Sequence, residues 1–205
     1  TGNAEDCTAC PAGQFKALVG TSACVACPSD SNTWHFATTG LSATTGNVAA
    51  YQCMCDKGHY GVIEGTSSVS GGTCENCPTG QYKADVGTER CIACPANSDA
   101  PTESDAASDC SCNAGFEGYI HGDDRTVGQC NKCPTGKYKN LYEAYDESGW
   151  STGSTGNYRC VACPKFSNTV TPGTWTALEQ KTMASECLCQ PGYEGTITGA
   201  ESTTD

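Results

Sequence analysis

One pattern of six cysteines occurs three times along this chain, and it constrains the fold more than any other feature. Each copy reads CxxCPxGx(Phe/Tyr)K, then CxxCP, then CxC followed by two residues and a glycine. The first copy holds Cys7, Cys10, Cys24, Cys27, Cys53 and Cys55; the second Cys74, Cys77, Cys91, Cys94, Cys110 and Cys112; the third Cys130, Cys133, Cys160, Cys163, Cys187 and Cys189. Self-similarity of this kind marks a repeat architecture in which each unit contacts its neighbours. The copies delimit three modules, residues 1–73, 74–129 and 130–205. They predict small disulfide-rich repeats forming an elongated rod, with few short β-hairpins and little helix.

Composition says why the cysteines must be joined. Leu, Ile, Val and Phe together number 22 of 205 residues and the formal charge is -12, a balance that leaves a chain disordered unless cross-links replace the missing core. A disulfide contributes about 2 to 4 kcal/mol, largely by restricting the unfolded chain. Thiols this dense stay paired in an oxidising compartment, which places the protein outside the cytosol, secreted or on a cell surface. With 11 Lys and Arg against 23 Asp and Glu and no basic cluster, nucleic acid and anionic lipid surfaces are excluded as partners. Apolar runs such as Val48-Ala49-Ala50 fall far short of the roughly 20 residues of a spanning helix. A chain beginning with Thr reads as processed or excerpted, so a secretory signal upstream and a lipid anchor signal downstream would both be out of sight.

Other positions recur with the cysteines: Pro11, Pro78 and Pro134; Gly13, Gly80 and Gly136; Phe15, Tyr82 and Tyr138; Lys16, Lys83 and Lys139. The proline fixes the backbone leaving the CxxC, the glycine permits a bend with positive φ, and the aromatic covers a neighbouring disulfide as a miniature core. The lysine is read as solvating that face. Gly58 and Gly61, Gly115 and Gly118, and Gly192 and Gly195 enclose His59, Phe116 or Tyr193 and read as tight hairpin closures, with no sheet continuing between modules. Length variation marks surface loops. Trp34, Trp150 and Trp175 fall in them, where packing over a disulfide or the next module is favoured over a recognition anchor. One helical turn is expected within 174–182.

Enzymatic and metal chemistry find little support. CxxC, thirteen residues, CxxC at Cys7 to Cys27 and Cys74 to Cys94 is compatible with a four-thiolate zinc site, but the third copy stretches the gap and leaves the CxC pairs unexplained. Redox catalysis needs a thiol activated at a helix N-terminus in a βαβ setting, and no such pattern is present. His35, His59 and His121 occupy different positions of their copies and read as surface or packing residues. The acidic groups Asp99, Glu103, Asp105 and Asp109, and His121 with Asp123 and Asp124, match no strict calcium loop and read as a solvated face. No cofactor is called for. No Asn begins an Asn-x-Ser/Thr sequon, while Thr38-Thr39, Thr44-Thr45, 66–70 and 151–155 are candidate O-glycan carriers.

Six cysteines alone allow fifteen pairings. The CxC followed by Gly-aromatic-x-Gly resembles the last half of an EGF-like module. That resemblance implies Cys10 with Cys27, Cys24 with Cys53, Cys55 with Cys74, Cys77 with Cys94, Cys91 with Cys110, Cys112 with Cys130, Cys133 with Cys163 and Cys160 with Cys187. Cys7 and Cys189 are left over as inter-repeat or intermolecular candidates. Head to tail, Cys189 to the next Cys7 would span 23 positions, against 19 from Cys55 to Cys74 and 18 from Cys112 to Cys130. Three arrangements stay open: an excerpt of a longer array, subunits joined end to end, or closed modules with Cys7 paired to Cys24.

CxxCPAGQFK, CxxCPTGQYK and CxxCPTGKYK with CVACP, CIACP and CVACP resemble the ciliate surface immobilisation antigens. Residues 91–98 followed by Cys110-Ser111-Cys112 are also similar to the cysteine-rich region of Eph receptors and related EGF/TNF-receptor-like modules. The first resemblance implies a glycosylphosphatidylinositol-anchored surface coat without catalytic residues. The second implies a spacer or ligand-binding arm of a receptor. The expectation is a non-enzymatic extracellular structural or coat protein that associates with itself or continues head to tail.

Overall fold

The computed structural model describes residues 7–37, 40–66, 69–118, 120, 128–139, 159–174 and 176–198. Trp150, Trp175, His121, Asp123 and Asp124 lie outside them. The chain divides into two compact units, Thr1–Ile92 with Thr102–Ala106, and Ala93–Pro101 with Ala107–Asp205. Among the described residues regular structure consists of two-stranded antiparallel pairs, one three-stranded sheet around Ser31–Ala37, and single 3-10 turns; most strands are two or three residues long because Cys, Pro and Gly interrupt the runs.

Each CxxCPxG opens on the same turn. The amide of Gln14 donates to the Pro11 carbonyl (3.2 Å), Gln81 to Pro78 (3.1 Å) and Lys137 to Pro134 (3.1 Å). The third residue of each turn has φ of 76 to 81°, the type II geometry that requires glycine at Gly13, Gly80 and Gly136. The turn leads into a two-residue strand. In the first repeat Gln14–Phe15 pairs with Val25–Ala26, and in the third Lys137–Tyr138 pairs with Val161–Ala162. A second turn follows each CxxCP, and its left-handed residue is Asp30, Asn97 or Phe166. The returning strand then meets the CxC: Ser31 faces Cys55 and Thr33 faces Cys53 in the first repeat, Ser167 faces Cys189 in the third.

Eight disulfides join cysteines that follow one another in sequence: Cys10–Cys24, Cys27–Cys53, Cys55–Cys74, Cys77–Cys91, Cys94–Cys110, Cys112–Cys130, Cys133–Cys160 and Cys163–Cys187. The interleaved EGF-like pairing is therefore corrected at Cys10 with Cys27, Cys24 with Cys53, Cys77 with Cys94, Cys91 with Cys110, Cys133 with Cys163 and Cys160 with Cys187. Cys55–Cys74 and Cys112–Cys130 are common to both schemes. Cys24 and Cys27 flank the extended pair Val25–Ala26, and side chains three apart on a strand point to opposite faces, so one thiol turns back to the preceding CxxC and the other forward to the CxC. With Val25–Ala26 paired against Gln14–Phe15, it is Cys24 that meets Cys10 and Cys27 that meets Cys53.

The disulfides are the core. Phe15, fully buried, clusters with Ala50, Cys53, Cys55, Ile63 and Cys74, and Val25 and Cys27 pack against them. Tyr138 clusters with Ala184 and Cys187, with Cys163 and Ile197 beside them. Among the described residues of 174–182 there is no helical turn: Val170 bridges Ala177 and Tyr138 bridges Lys181 in extended geometry. A 3-10 turn instead precedes every CxC, at Ala50–Gln52, Ala107–Asp109 and Ala184–Glu186, each burying its alanine. Trp34 is half-buried and its indole N–H donates to Asp56 Oδ1 at 2.7 Å, which makes it a packing residue.

One buried hydroxyl recurs. Thr33 Oγ1 accepts from the Gly13 amide (3.0 Å) and donates to the Thr44 carbonyl (2.8 Å); Thr169 does the same between Gly136 (2.7 Å) and Leu178 (2.7 Å). Thr33→Val keeps the shape but strands a backbone donor and acceptor, so a loss of about 2 kcal/mol is expected, read from the urea midpoint.

Candidate functional site

The chemistry of this molecule lies where one repeat meets the next. In the first unit, Cys55–Cys74 ties the first repeat to the second, and His59–Tyr60 pairs with Glu75–Asn76 in an antiparallel ribbon. The second unit repeats this with Cys112–Cys130 and the pairing of Phe116–Gly118 with Cys130–Lys132. Two-stranded ribbons thus cross the repeat boundaries, contrary to the expectation of no shared sheet. The glycine pair is not a tight hairpin closure either: its first member begins the ribbon and its second lies against the opposite strand.

That first glycine is the contact point. Gly58 N–H donates to the Lys83 carbonyl (2.9 Å), its own carbonyl accepts from Cys77 (2.8 Å), and a Cβ added there would sit 2.5 Å from the Glu103 oxygen. Gly115 makes the same bonds to Lys139 (2.9 Å) and Cys133 (2.8 Å), with the Gln180 oxygen 2.9 Å from an added Cβ. The next residue is buried under the following repeat, His59 in one case and Phe116 in the other. His59 Nδ1 lies 2.9 Å from the Lys57 carbonyl, and Nε2 3.4 Å from Glu103 and 3.8 Å from Asp30. Val86 is also buried here, and Gly87 N–H donates to the Cys55 carbonyl at 2.9 Å.

The recurring lysine is a latch, which corrects its reading as a solvating residue. Lys83 and Lys139 are both buried. Lys83 Nζ reaches the Asp56 carbonyl (3.4 Å) and Lys139 Nζ the Cys112 carbonyl (2.8 Å), each on the preceding repeat. Burial lowers the pKa of Lys83, against the opposing charges of Glu89, Asp85 and Asp56. It lowers Lys139 further, from 10.5 to about 8, with Glu117 opposing. Between those values the unfolded chain holds a proton that the folded chain has released, so the contribution of Lys139 to stability rises with pH across that window and does not change below it. Urea midpoints of the thiol-alkylated chain are expected to increase from pH 8 to pH 10.5, and Lys139→Met is expected to abolish most of the increase.

An open groove of about 430 Å³ is lined by Pro95, Ala96, Asn97, Gly128, Gln129 and Cys130, none titratable except Cys130, which is bridged to Cys112. Among the described residues no three His, Cys, Asp or Glu side chains gather to hold a metal. Cys10, Cys24 and Cys27 of the zinc-compatible spacing are spent in disulfides. Asp99 caps the Ala100 amide (2.9 Å) while Glu103 faces His59 and Asn76, so these neighbours in sequence serve separate local roles. Cys7 is exposed and Cys189 half-buried, and both carry free thiols.

Residues 1–42 and 65–110 match the family model described as tyrosine-protein kinase ephrin type A/B receptor-like. The chain is 40% identical over 65 residues to ephrin type-B receptor 2 of Coturnix japonica, covering 32% of this chain and 6% of that protein. It is 33% identical over 98 residues to signal peptide, CUB and EGF-like domain-containing protein 2 of Danio rerio, covering 44% and 8%. Over 145 residues it is 28% identical to cysteine repeat modular protein A of Toxoplasma gondii, covering 70% and 4%. The chain is a disulfide-rich extracellular module. It spans less than a tenth of the length of the curated relatives it matches. What the sequence reading missed is the burial of the lysine and the role of the first glycine. The only signal available for either was their recurrence at fixed distance from the cysteines.

Proposed function

We propose that this chain is a non-enzymatic structural segment of an extracellular surface coat, a disulfide-laddered array that continues head to tail through further repeats of its kind. The observation that carries this reading is the identity of the two junctions: the same glycine, lysine and disulfide connect repeat to repeat. In the coat reading a glycosylphosphatidylinositol anchor lies outside these residues, and serine- and threonine-rich loops such as Thr44-Thr45 carry O-glycans. The similarity to ephrin receptors favours a second reading, a spacer or ligand-binding arm in the ectodomain of a cell-surface receptor.

Surface biotinylation of intact cells followed by phosphatidylinositol-specific phospholipase C separates the two. Release of the labelled protein by the lipase is the result expected of an anchored coat. Retention in the membrane until detergent is added would overturn the coat in favour of the receptor arm.

A further inference from the structure

We propose that the face formed by Phe166, Cys189, Gly192 and Tyr193 takes the amino-terminal repeat of a second copy of this chain, with a disulfide closing between Cys189 and that copy's Cys7. This rests on the reading of the chain as a self-continuing structural array and names its partner and contacts.

Among the described residues this face repeats one half of a junction and no residue occupies the place of the other half. Cys189 corresponds to Cys55 and Cys112, and its sulfur lies 3.6 Å from the Gly195 carbonyl just as Cys55 lies 3.6 Å from Gly61. Gly192 corresponds to Gly58 and Gly115 and shares their positive φ, yet nothing lies within 4 Å of a Cβ built on it. Tyr193 corresponds to the buried His59 and Phe116 and is 50% exposed. It stacks on Phe166, itself 54% exposed, with ring centroids 4.2 Å apart. Phe166 holds φ of 62° where the other repeats use Asp30 and Asn97, residues that tolerate the left-handed region far better. A bulky aromatic kept exposed in an unfavourable backbone conformation marks a surface with a use.

The amino-terminal repeat presents the matching half. Val19 corresponds to the buried Val86 and is fully exposed; Lys16 corresponds to the latches Lys83 and Lys139 and bonds instead to the Gly20 carbonyl at 2.5 Å. Its acceptor for the incoming glycine amide is the Lys16 carbonyl, and Gly46 takes the place of Glu103 and Gln180, with the same positive φ. Where the first junction has Glu103 over His59, this half has no side chain, which leaves room for the Tyr193 and Phe166 rings. Position 105, an aspartate beside Gly58 in the first junction, is matched by Val48, 59% exposed. Both halves have exchanged polar for apolar groups at corresponding places, so each suits the other better than it suits water.

Covalent closure balances with glutathione disulfide as oxidant. The Cys7 thiolate attacks it, releasing one glutathione and leaving a mixed disulfide. The Cys189 thiolate of the other chain then displaces the second glutathione, so one S–S bond forms, two S–H bonds are lost and the electron pair rests on two glutathione thiols.

The test mixes a Cys7→Ser variant with a Cys189→Ser variant in a glutathione redox buffer. One heterodimer bridged from Cys189 to Cys7, with nothing larger, is expected, while the unaltered chain gives a ladder of covalent oligomers. Homodimers of either variant are expected at least tenfold more slowly. Val19→Asp on the Cys7-bearing partner is expected to slow heterodimer formation at least tenfold without changing the reactivity of that thiol toward Ellman reagent. Equal rates of homo- and heterodimer formation, indifference to Val19→Asp, an intrachain Cys7–Cys189 bridge, or an unaltered chain that stays monomeric would each overturn the proposal. So would native material in which Cys189 is bridged to a later repeat of the same polypeptide. Peptide maps made in parallel report the eight ladder bridges: if these form and docking fails, the structural reading survives the loss of its proposed partner.

Discussion

Reduction of the eight disulfides is expected to unfold both units completely in water, with loss of the thermal transition and exchange of all protected amides within minutes. Among the described residues the buried clusters are small and include the half-cystines themselves, Cys53, Cys55 and Cys74 around Phe15 and Cys187 beside Tyr138. Single bridges separate the contributions. Replacing Cys27 and Cys53 together by Ser opens a loop of 26 residues and removes two sulfurs from the Phe15 cluster. The chain-entropy term for that loop is about 3.5 kcal/mol, and the lost packing adds to it. Opening Cys94–Cys110, a loop of 16, is expected to cost about 3 kcal/mol. Calorimetry of the two double variants checks both. If neither lowers the transition by more than a degree or two, stability comes from something other than the ladder.

Gly58→Ala is the second large effect. The residue sits at φ 73°, and an added Cβ would lie 2.5 Å from a backbone oxygen, which cannot swing away as a side chain could. The left-handed backbone alone costs an alanine about 1 to 2 kcal/mol, and relieving the contact means separating Gly58 from Glu103 and breaking the bond to Lys83. A total of about 3 kcal/mol or more is expected. Gly192→Ala shares the backbone cost, with φ 88°, but meets open space, so about 1 kcal/mol is expected in the isolated chain. The difference between two chemically identical substitutions measures what a filled junction contributes. Amide exchange at Cys77, which donates to the Gly58 carbonyl, locates the damage.

The particular residues divide cleanly between what could be read and what could not. Three copies, the turn glycines Gly13, Gly80 and Gly136 and the buried aromatics follow from local rules: a CxxCPxG permits one turn, and a recurrent aromatic among half-cystines has nowhere else to pack. The pairing did not follow, because fifteen connectivities satisfy the same spacing and a resemblance to EGF-like modules selected an interleaved one. The pairing of Gln14–Phe15 with Val25–Ala26, which brings Cys24 rather than Cys27 to Cys10, is a tertiary contact that no spacing encodes. The 3-10 turns before each CxC carried a faint sequence sign, an alanine three residues before the cysteine at Ala50, Ala107 and Ala184, too common a residue to stand out.

Lys83 and Lys139 show the limit most clearly. A lysine beside an aromatic reads as a solvating residue, and the pattern CPxGx(Phe/Tyr)K around it is shared by all three repeats. Lys16, with that same sequence, is half-buried and turns to its own loop. By itself, then, the sequence determined the repeat, the oxidising compartment and the places where the backbone must turn, since these depend on residues a few positions apart. Only the tertiary structure decided which thiols meet, which lysines are buried and which glycine is a contact, since each depends on a neighbouring repeat being present to desolvate it.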